Sequence, residues 1–504
     1  MFEASIQGLT SLFTPTVAIY MFLGVLWGLL IGILPALGGI TAMALMLPFA
    51  VTAGLEAGIS LLLGAHIGTI YGDAACSILF KVPGSGKAIV HCFDGYPMTQ
   101  QGQGARALGA TATSAFIGGI IGAVALTLTL PLMRAFMLAL GPPEYFMMGV
   151  WGLSVIAVFA EGSVLKGLVA AGLGLMVSFI GQDPVTATLR YTFGNLYLMD
   201  GLSFPVVAVG LFAISQVMSM HIKGGSIMEK GVNLEGSSVW QGMRDVFDHW
   251  PLVVRSSILG LWIGALPGIG NVVGTMAAYG QAVQTSKHPE KFGKGNVEGV
   301  IAPTSTMGAN EGGALMPTLG FGIPGGETMA ILLSAFIVLG IAPGRDMLEH
   351  RLPLVFSMVW MIVIANMLTT AIGILTAPQL AKIATLPGHV IIPLVLAVSV
   401  VGAYSMDGAI ESVVVAVIFG FLGYFMDKYD FSKADFAIGM VLGLLIEQYM
   451  QVSITTYGNL FVITRPVSLA MLLGILFTLI WPVVNSARKR RKAKEAKLSG
   501  GMAK

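Results

Sequence analysis

Gly32-Ile-Leu-Pro-Ala-Leu-Gly38 and Gly264-Ala-Leu-Pro-Gly-Ile-Gly270 interrupt two apolar runs of this chain with a proline and glycines at matching places. In lipid, a broken helix leaves backbone N–H and C=O groups unpaired, so breaks persist only where protein or water encloses them. A matched pair of broken segments in two halves of a chain is typical of the binding site of a secondary transporter. The two stretches therefore predict a duplicated carrier whose site lies at the breaks.

The composition predicts a membrane protein. The 504 residues are 55% hydrophobic and only 10% charged, whereas typical soluble domains are about 25% charged. The mean hydropathy is +0.84. Apolar runs of bilayer length recur along the chain, which predicts an all-α polytopic membrane protein with about 12 membrane segments. The tail 486–504 has eight basic residues and one acidic residue, a net charge of +7 that leaves −5 on the rest. Such a tail is expected to stay cytoplasmic.

The chain aligns with itself in two halves. The break Gly32–Gly38 recurs as Gly264–Gly270, at an offset of 232 residues. Further along, Tyr71–Gly84 aligns with Gly312–Gly325 at an offset of 241. Glu161-Gly162 corresponds to Asp407-Gly408. We therefore expect a membrane repeat in 1–220, a polar connector in 221–250, a second repeat in 251–485 and the basic tail. Facing breaks favour two inverted repeats with interrupted helices and re-entrant hairpins.

Four breaks, at 33–41, 81–87, 265–275 and 322–328, are predicted to form one substrate and ion site. Helix ends offer N–H groups to an anion and carbonyls to a cation, and glycines let the backbone approach a ligand. The alternative is that these residues only make kinks and tight helix crossings. The predicted binding residues are Pro35, Gly38, Gly39, Thr41, Asp73, Ser77, Lys81, Pro83, Gly84, Ser85, Pro267, Gly268, Gly270, Asn271, Asn310, Glu311, Gly312, Gly313, Pro324, Gly325, Gly326 and Thr328.

Ionisable residues inside apolar segments are costly and are functional candidates. Asp73 and Lys81 would lie about 12 Å apart on one face of an unbroken helix. Asp73, Lys81, Glu311 and Glu327 are either coupling groups or members of structural ion pairs. His66 is interpreted as a satisfied buried histidine, and a proton carrier is the less favoured alternative. We predict no catalytic residue and no metal site.

Several of these motifs resemble the large membrane subunit of the tripartite tricarboxylate transporters over essentially the whole chain. They include both Gly-x-Leu-Pro stretches, Asp94-Gly-Tyr-Pro-Met98 and Gly322-Ile-Pro-Gly325. The resemblance implies a multi-pass bacterial inner-membrane protein that works with a small membrane subunit and a periplasmic solute-binding protein. Asp73 stands where the family usually has glycine, and Lys81 where it usually has asparagine.

The predicted function is the large transmembrane subunit of a binding-protein-dependent, ion-gradient-driven importer of a small organic anion, a di- or tricarboxylate. Na⁺ or H⁺ is the expected coupling ion. No other cofactor and no nucleic-acid partner is expected. The alternatives are an ion-coupled carrier of a different solute, a passive channel, an intramembrane enzyme and a polytopic scaffold.

Overall fold

A computed structural model of the chain describes residues 1–35, 37–138, 140–159, 164–183, 186–223, 238–267, 270–377, 379 and 388–478. Eight helices among them are long and apolar enough to cross a bilayer, and five shorter apolar helices accompany them. The predicted class, an all-α polytopic membrane protein, is confirmed. The two counts bracket the predicted number of about 12 membrane segments. The basic tail and the Glu161-Gly162 pair lie outside the described residues.

The helices of the first half are α1 Phe2–Ser11, α2 Pro15–Ile33, α3 Gly38–Ala53, α4 Leu55–Phe80, α5 His91–Gln100, α6 Gly104–Leu138, α7 Pro142–Phe159, α8 Val164–Ser178, α9 Leu196–Met199, α10 Phe204–Ala208 and α11 Ser215–Lys223. A 3₁₀ turn, Gly86–Ala88, precedes α5, and a π-helical stretch, Val209–Ile214, joins α10 to α11. Strands β1 Gly181–Gln182 and β2 Leu189–Arg190 form an antiparallel pair.

The helices of the second half are α12 Val239–Asp248, α13 Trp250–Ala265, α14 Gly270–Thr285, α15 Glu298–Phe321, α16 Glu327–Val338, α17 Arg345–His350, α18 Leu352–Leu375, α19 Gly388–Asp407, α20 Ile410–Lys428, α21 Lys433–Tyr457, α22 Phe461–Thr464 and α23 Pro466–Thr478. A 3₁₀ turn, Pro289–Lys291, precedes α15.

Helix bounds follow the two sequence offsets. Helices α3 and α14 each contain 16 residues. Helices α4 and α15 are followed by Lys81 and Gly322, which share a left-handed backbone with φ of 58° and 66° and ψ of 21° in both. Matching ends of this kind support the two-repeat organisation. The repeat boundaries and the relative orientation of the repeats stay predictions.

Glycines let the first helix of each hairpin lie directly on the long helix behind it. A Cβ added to Gly32 of α2 would lie 2.9 Å from Thr69 Cα on α4. A Cβ added to Gly264 of α13 would lie 2.5 Å from the carbonyl oxygen of Asn310 on α15. Small residues at such contacts allow backbones to approach in membranes. Each break is thereby held beside a polar stretch of the long helix.

The two halves pack into each other around α4 and α15. Helix α4 packs on α18 of the second half, and α15 packs on α6 of the first half. Helix α1 packs on α18, and α12, which lies within the predicted connector 221–250, packs on α6. The 18-residue apolar window of α4 is wholly buried inside the protein. Helix α4 is therefore screened from lipid and can carry polar residues.

Asp94, from the Asp-Gly-Tyr-Pro-Met motif, joins the halves at the start of α15. The carboxylate is fully buried. Its Oδ1 accepts hydrogen bonds from the backbone N–H groups of Gly295 and Asn296 at 2.9 and 2.8 Å. Its Oδ2 accepts one from the Tyr279 hydroxyl of α14 at 2.8 Å. The motif thus anchors the loop that leads into α15.

Candidate functional site

The first break follows from Pro35 and Gly38. A residue before proline is driven out of the helical region, and Leu34 is extended with ψ of 129° after the end of α2. Helix α3 begins at Gly38, whose φ of +51° suits glycine. The first N–H groups of α3 have no partner within the helix and carry its positive dipole end. They therefore lie at the break.

The second break folds back onto the first. A Cβ at Gly38 would lie 3.1 Å from Ser85 Cβ and 3.3 Å from the Gly84 carbonyl oxygen. A Cβ at Gly84 would lie 2.6 Å from Asp73 Oδ1. Glycine at 84 is therefore required for close approach to Asp73. Pro83 introduces this turn and is half-buried.

Asp73 is the acidic centre of the first half. The Ser85 hydroxyl donates to its Oδ2 at 2.6 Å, and the Ser77 hydroxyl donates to its backbone oxygen at 3.0 Å. Asp73 is fully buried, and its Oδ1 has no hydrogen-bond partner. Lys87, only 8% exposed, interacts with it electrostatically. A buried carboxylate with a free oxygen can accept a proton or hold a cation.

Lys81 lies away from this centre. It ends α4, is exposed, and places its ammonium 5.6 Å from the centre of the Tyr96 ring. Sequence reasoning put Lys81 on the same helical face as Asp73 and missed Lys87. The signal for Lys87 was its place just after the Pro-Gly turn, where the chain returns toward α4.

The third break touches the second. Helix α13 ends before an extended Leu266, ψ 102°, which precedes Pro267. Gly268 lies outside the described residues, and α14 begins at Gly270. Asn271 is half-buried, with no hydrogen-bond partner for its buried Oδ1. A Cβ at Gly86 would lie 3.0 Å from Val272 Cγ2. This contact links the breaks of the two halves.

The fourth break begins α16 beside α4. The Gly325 N–H donates to the Thr318 hydroxyl at 3.1 Å and fixes the turn after Pro324. Gly326 is the extended residue before α16. The Thr328 hydroxyl lies 3.4 Å from His66 Nε2. Glu327 of this helix is exposed.

A buried acid–base pair joins α4 to α15. His66 Nε2 lies 2.5 Å from Glu311 Oε2, with side chains 1% and 2% exposed. Gly39, at the start of α3, lies over the imidazole, since a Cβ there would be 3.4 Å from His66 Nδ1. Asp73 follows His66 by two helical turns, about 10 Å along the same face of α4.

The remaining predicted residues are buried or have packing roles. Asn310 and Thr41 are buried, at 6% and 5% exposure. Gly312 faces the backbone of Gly122, and Gly313 faces that of Leu261, so both serve helix packing. No group of three or more His, Cys, Asp or Glu side chains that could hold a metal ion occurs among the described residues.

Interrupted apolar helices whose ends meet around buried acids and bases are the arrangement of membrane transport proteins. The chain belongs to the tripartite tricarboxylate transporter TctA family, whose model matches residues 18–438. This confirms the resemblance that the motifs indicated.

Two relatives come from Agrobacterium vitis. One, described as an uncharacterized 52.8 kDa protein in the TAR-I ttuC′ 3′ region, is 32% identical over 486 residues, 96% of each chain. Another, described as an uncharacterized protein in the TAR-II ttuC′ 3′ region, is 31% identical over 235 residues, 46% of this chain and 97% of that relative. No solved structure matches the chain. As a member of this family, the chain is a membrane subunit of a tricarboxylate transporter.

Proposed function

We propose that the chain is the large transmembrane subunit of a binding-protein-dependent, ion-gradient-driven secondary transporter that imports a small organic anion, a di- or tricarboxylate. Its partners in this proposal are a small membrane subunit and a periplasmic solute-binding protein. The protein resides in the bacterial inner membrane with a cytoplasmic C-terminus and two inverted repeats.

The observation that carries the proposal is the meeting of the breaks. Gly38 contacts the Gly84–Ser85 turn, Gly86 contacts the start of α14, and Thr328 reaches His66. Broken helices brought together from both halves are how secondary transporters build substrate and ion sites. The alternative, that the glycines only allow tight helix crossings, explains Gly312 and Gly313. It does not explain why the four breaks contact one another or His66.

The charges around the breaks suit an anion accompanied by a cation. Lys87 and the N-terminus of α3 supply positive charge for a carboxylate. Asp73 and Glu311 each keep a buried oxygen without a partner, which suits a coupling cation or proton. Substrate and coupling ion would then bind within the same enclosed region.

The test is uptake by proteoliposomes that contain the chain together with its two partner subunits. ¹⁴C-labelled succinate, malate and citrate serve as probes under imposed Na⁺ or proton gradients. Concentrative uptake of at least one probe is expected. Gly38→Leu should abolish it, because the side chain would fill the contact with Ser85. Gly172→Leu in α8 is the matched control, since no atom lies within 4 Å of a Cβ there.

Uptake that reaches only the external concentration, with or without a gradient, would identify a passive channel. Wild-type uptake by a folded, inserted Gly38→Leu protein would show that the breaks do not form the site. Size-exclusion profiles in detergent establish that each variant is folded.

A further inference from the structure

The His66–Glu311 pair lies where four helices from both halves meet. His66 is on α4 and Glu311 on α15, while Gly39 of α3 and Thr328 of α16 approach the imidazole. Any change in the charge of this pair is therefore felt by both halves at once.

The pair has capacity for one more proton. His66 Nδ1 and Glu311 Oε1 are both buried and make no hydrogen bond. When the Nε2 proton points at the carboxylate, Nδ1 is the free acceptor of a neutral imidazole. Histidine is also the side chain whose ordinary pKa lies nearest neutral pH.

Without that proton the His66–Glu311 pair has a net negative charge that the surrounding groups do not offset. Asp73 and Lys87, the nearest charged groups on the first-half side, offset each other. Helices α2, α3 and α18 contain no Asp, Glu, Lys, Arg or His. The other charged or histidine side chains on α4, α15 and the helices packed against them, together with Tyr279 of α14, are Glu56 of α4, Glu298 of α15, His91 and Asp94 of α5, Arg106 and Arg134 of α6, Arg255 of α13, Glu327 of α16, and Arg345, Asp346, Glu349 and His350 of α17.

Most of these groups are already engaged elsewhere. His91 bonds Thr304 at 2.8 Å, Asp94 bonds Tyr279, and Arg106 pairs with Asp245 at 2.5 Å. A neutral histidine beside an ionised Glu311 carries one buried negative charge, and a proton on Nδ1 cancels it. An uncompensated buried charge costs several kcal/mol, so a proton on Nδ1 would remove an unfavourable charge.

We propose that His66 and Glu311 form the proton-carrying site through which this transporter uses a proton gradient. The proposal rests on the transport function proposed above. One proton binds the pair from the side of higher proton concentration, and the same proton leaves to the other side. Hard cations prefer oxygen ligands, whereas here an imidazole nitrogen occupies Glu311 Oε2. The coupling ion at this pair is therefore H⁺ rather than Na⁺.

The experiment compares His66→Gln with His91→Gln in the proteoliposomes described above. Glutamine at 66 keeps a donor for Glu311 but cannot take up a proton. The matched control removes an equally buried histidine that also bridges the halves, through Thr304. Uptake driven by a proton gradient should fall at least about tenfold in His66→Gln, a loss of about 1.4 kcal/mol or more. Exchange of labelled for unlabelled solute, which moves no net charge, should persist.

A pH-sensitive dye gives the second reading. Wild-type protein and His91→Gln should alkalinise the external medium when solute is added, and His66→Gln should not. Proton uptake by His66→Gln equal to wild type would overturn the proposal. Concentrative uptake driven by Na⁺ alone would also overturn it while leaving the transport function intact. No uptake of any probe under either gradient would instead count against the proposed function.

In that case the purified chain in detergent still tests the pair without solute. The melting temperature of wild type and of His91→Gln should rise on acidification relative to the double variant His66→Gln/Glu311→Gln, because only the intact pair can take up the neutralising proton. Parallel curves for all three proteins would contradict the proposal.

Discussion

The hairpins α2–α3 and α13–α14 carry the same Gly-x-Leu-Pro break, but they have different surroundings. Helix α3 is packed against α10, α16 and α19. Helix α14 instead exposes large apolar side chains, with Val273 54% and Met276 38% exposed. One sequence pattern thus produces a hairpin whose second helix, α3, is enclosed and a hairpin whose second helix, α14, is peripheral.

The long helices behind the hairpins differ as well. At the offset of 241 residues, His66 corresponds to Met307, Asp73 to Ala314, and Glu311 to Ile70. In each of these three pairs, one residue is ionisable and its counterpart in the other half is apolar. The breaks are therefore duplicated, whereas the charged residues beside them are not. The charged residues lie beneath the hairpin of the enclosed helix α3.

The largest expected effect comes from exchanging residues at the start of the two hairpins. Gly39 corresponds to Asn271. Gly39→Asn should reduce uptake about 100-fold, close to 2.7 kcal/mol, because Thr69 Oγ1 would lie 2.8 Å from the new Cβ and His66 is next to it. Asn271→Gly should reduce uptake far less. Equal losses in initial-rate assays would erase the distinction between the hairpins.

The second prediction separates the two lysines of the first half. Lys87→Gln should lower uptake about tenfold, because Asp73 loses the cation that balances it. Lys81→Gln, at the exposed end of α4, should keep most of the uptake. The double variant Asp73→Asn/Lys87→Gln should recover part of the loss, and a larger effect at Lys81 would reverse the assignment.

The third prediction concerns the anchor between the halves. Tyr279→Phe removes the hydroxyl that donates to Asp94 and should cost about 1 kcal/mol of stability, seen as a lower melting temperature in detergent. Tyr404→Phe is the control, on a ring that is 50% exposed. Equal melting temperatures for the two variants would show that the anchor contributes nothing.

The smallest effect is expected at the matched helix ends. A left-handed residue other than glycine costs about 1–2 kcal/mol, and glycine loses about 0.4–1 kcal/mol through unfolded-chain entropy. Lys81→Gly should therefore stabilise the protein by somewhat under about 1 kcal/mol. Gly322→Lys should destabilise it, since a Cβ there would lie 2.9 Å from Pro343 Cγ. Unfolding in denaturant measures both.

The helices and their breaks could be predicted because proline and glycine act locally. Pro35, Pro83, Pro267 and Pro324 each follow a helix end. The partners of the charged groups could not be predicted this way. Helical spacing predicts Lys81 about 12 Å from Asp73 on the same face, but the chain turns at the left-handed Lys81 and brings Lys87 to Asp73 instead. His66 and Glu311 lie 245 residues apart, so only tertiary packing brings them together.

The burial of α4 has a consequence for how the protein is made. On the insertion scale an aspartate at the centre of a membrane helix costs about 2.5 to 3.5 kcal/mol, and α4 carries Asp73 together with His66. Helices α2 and α3, which precede α4 in the chain, pack on it, but α18, which covers another side of α4, is translated more than 200 residues later. The side of α4 that α18 covers therefore has no partner until the second half has been made.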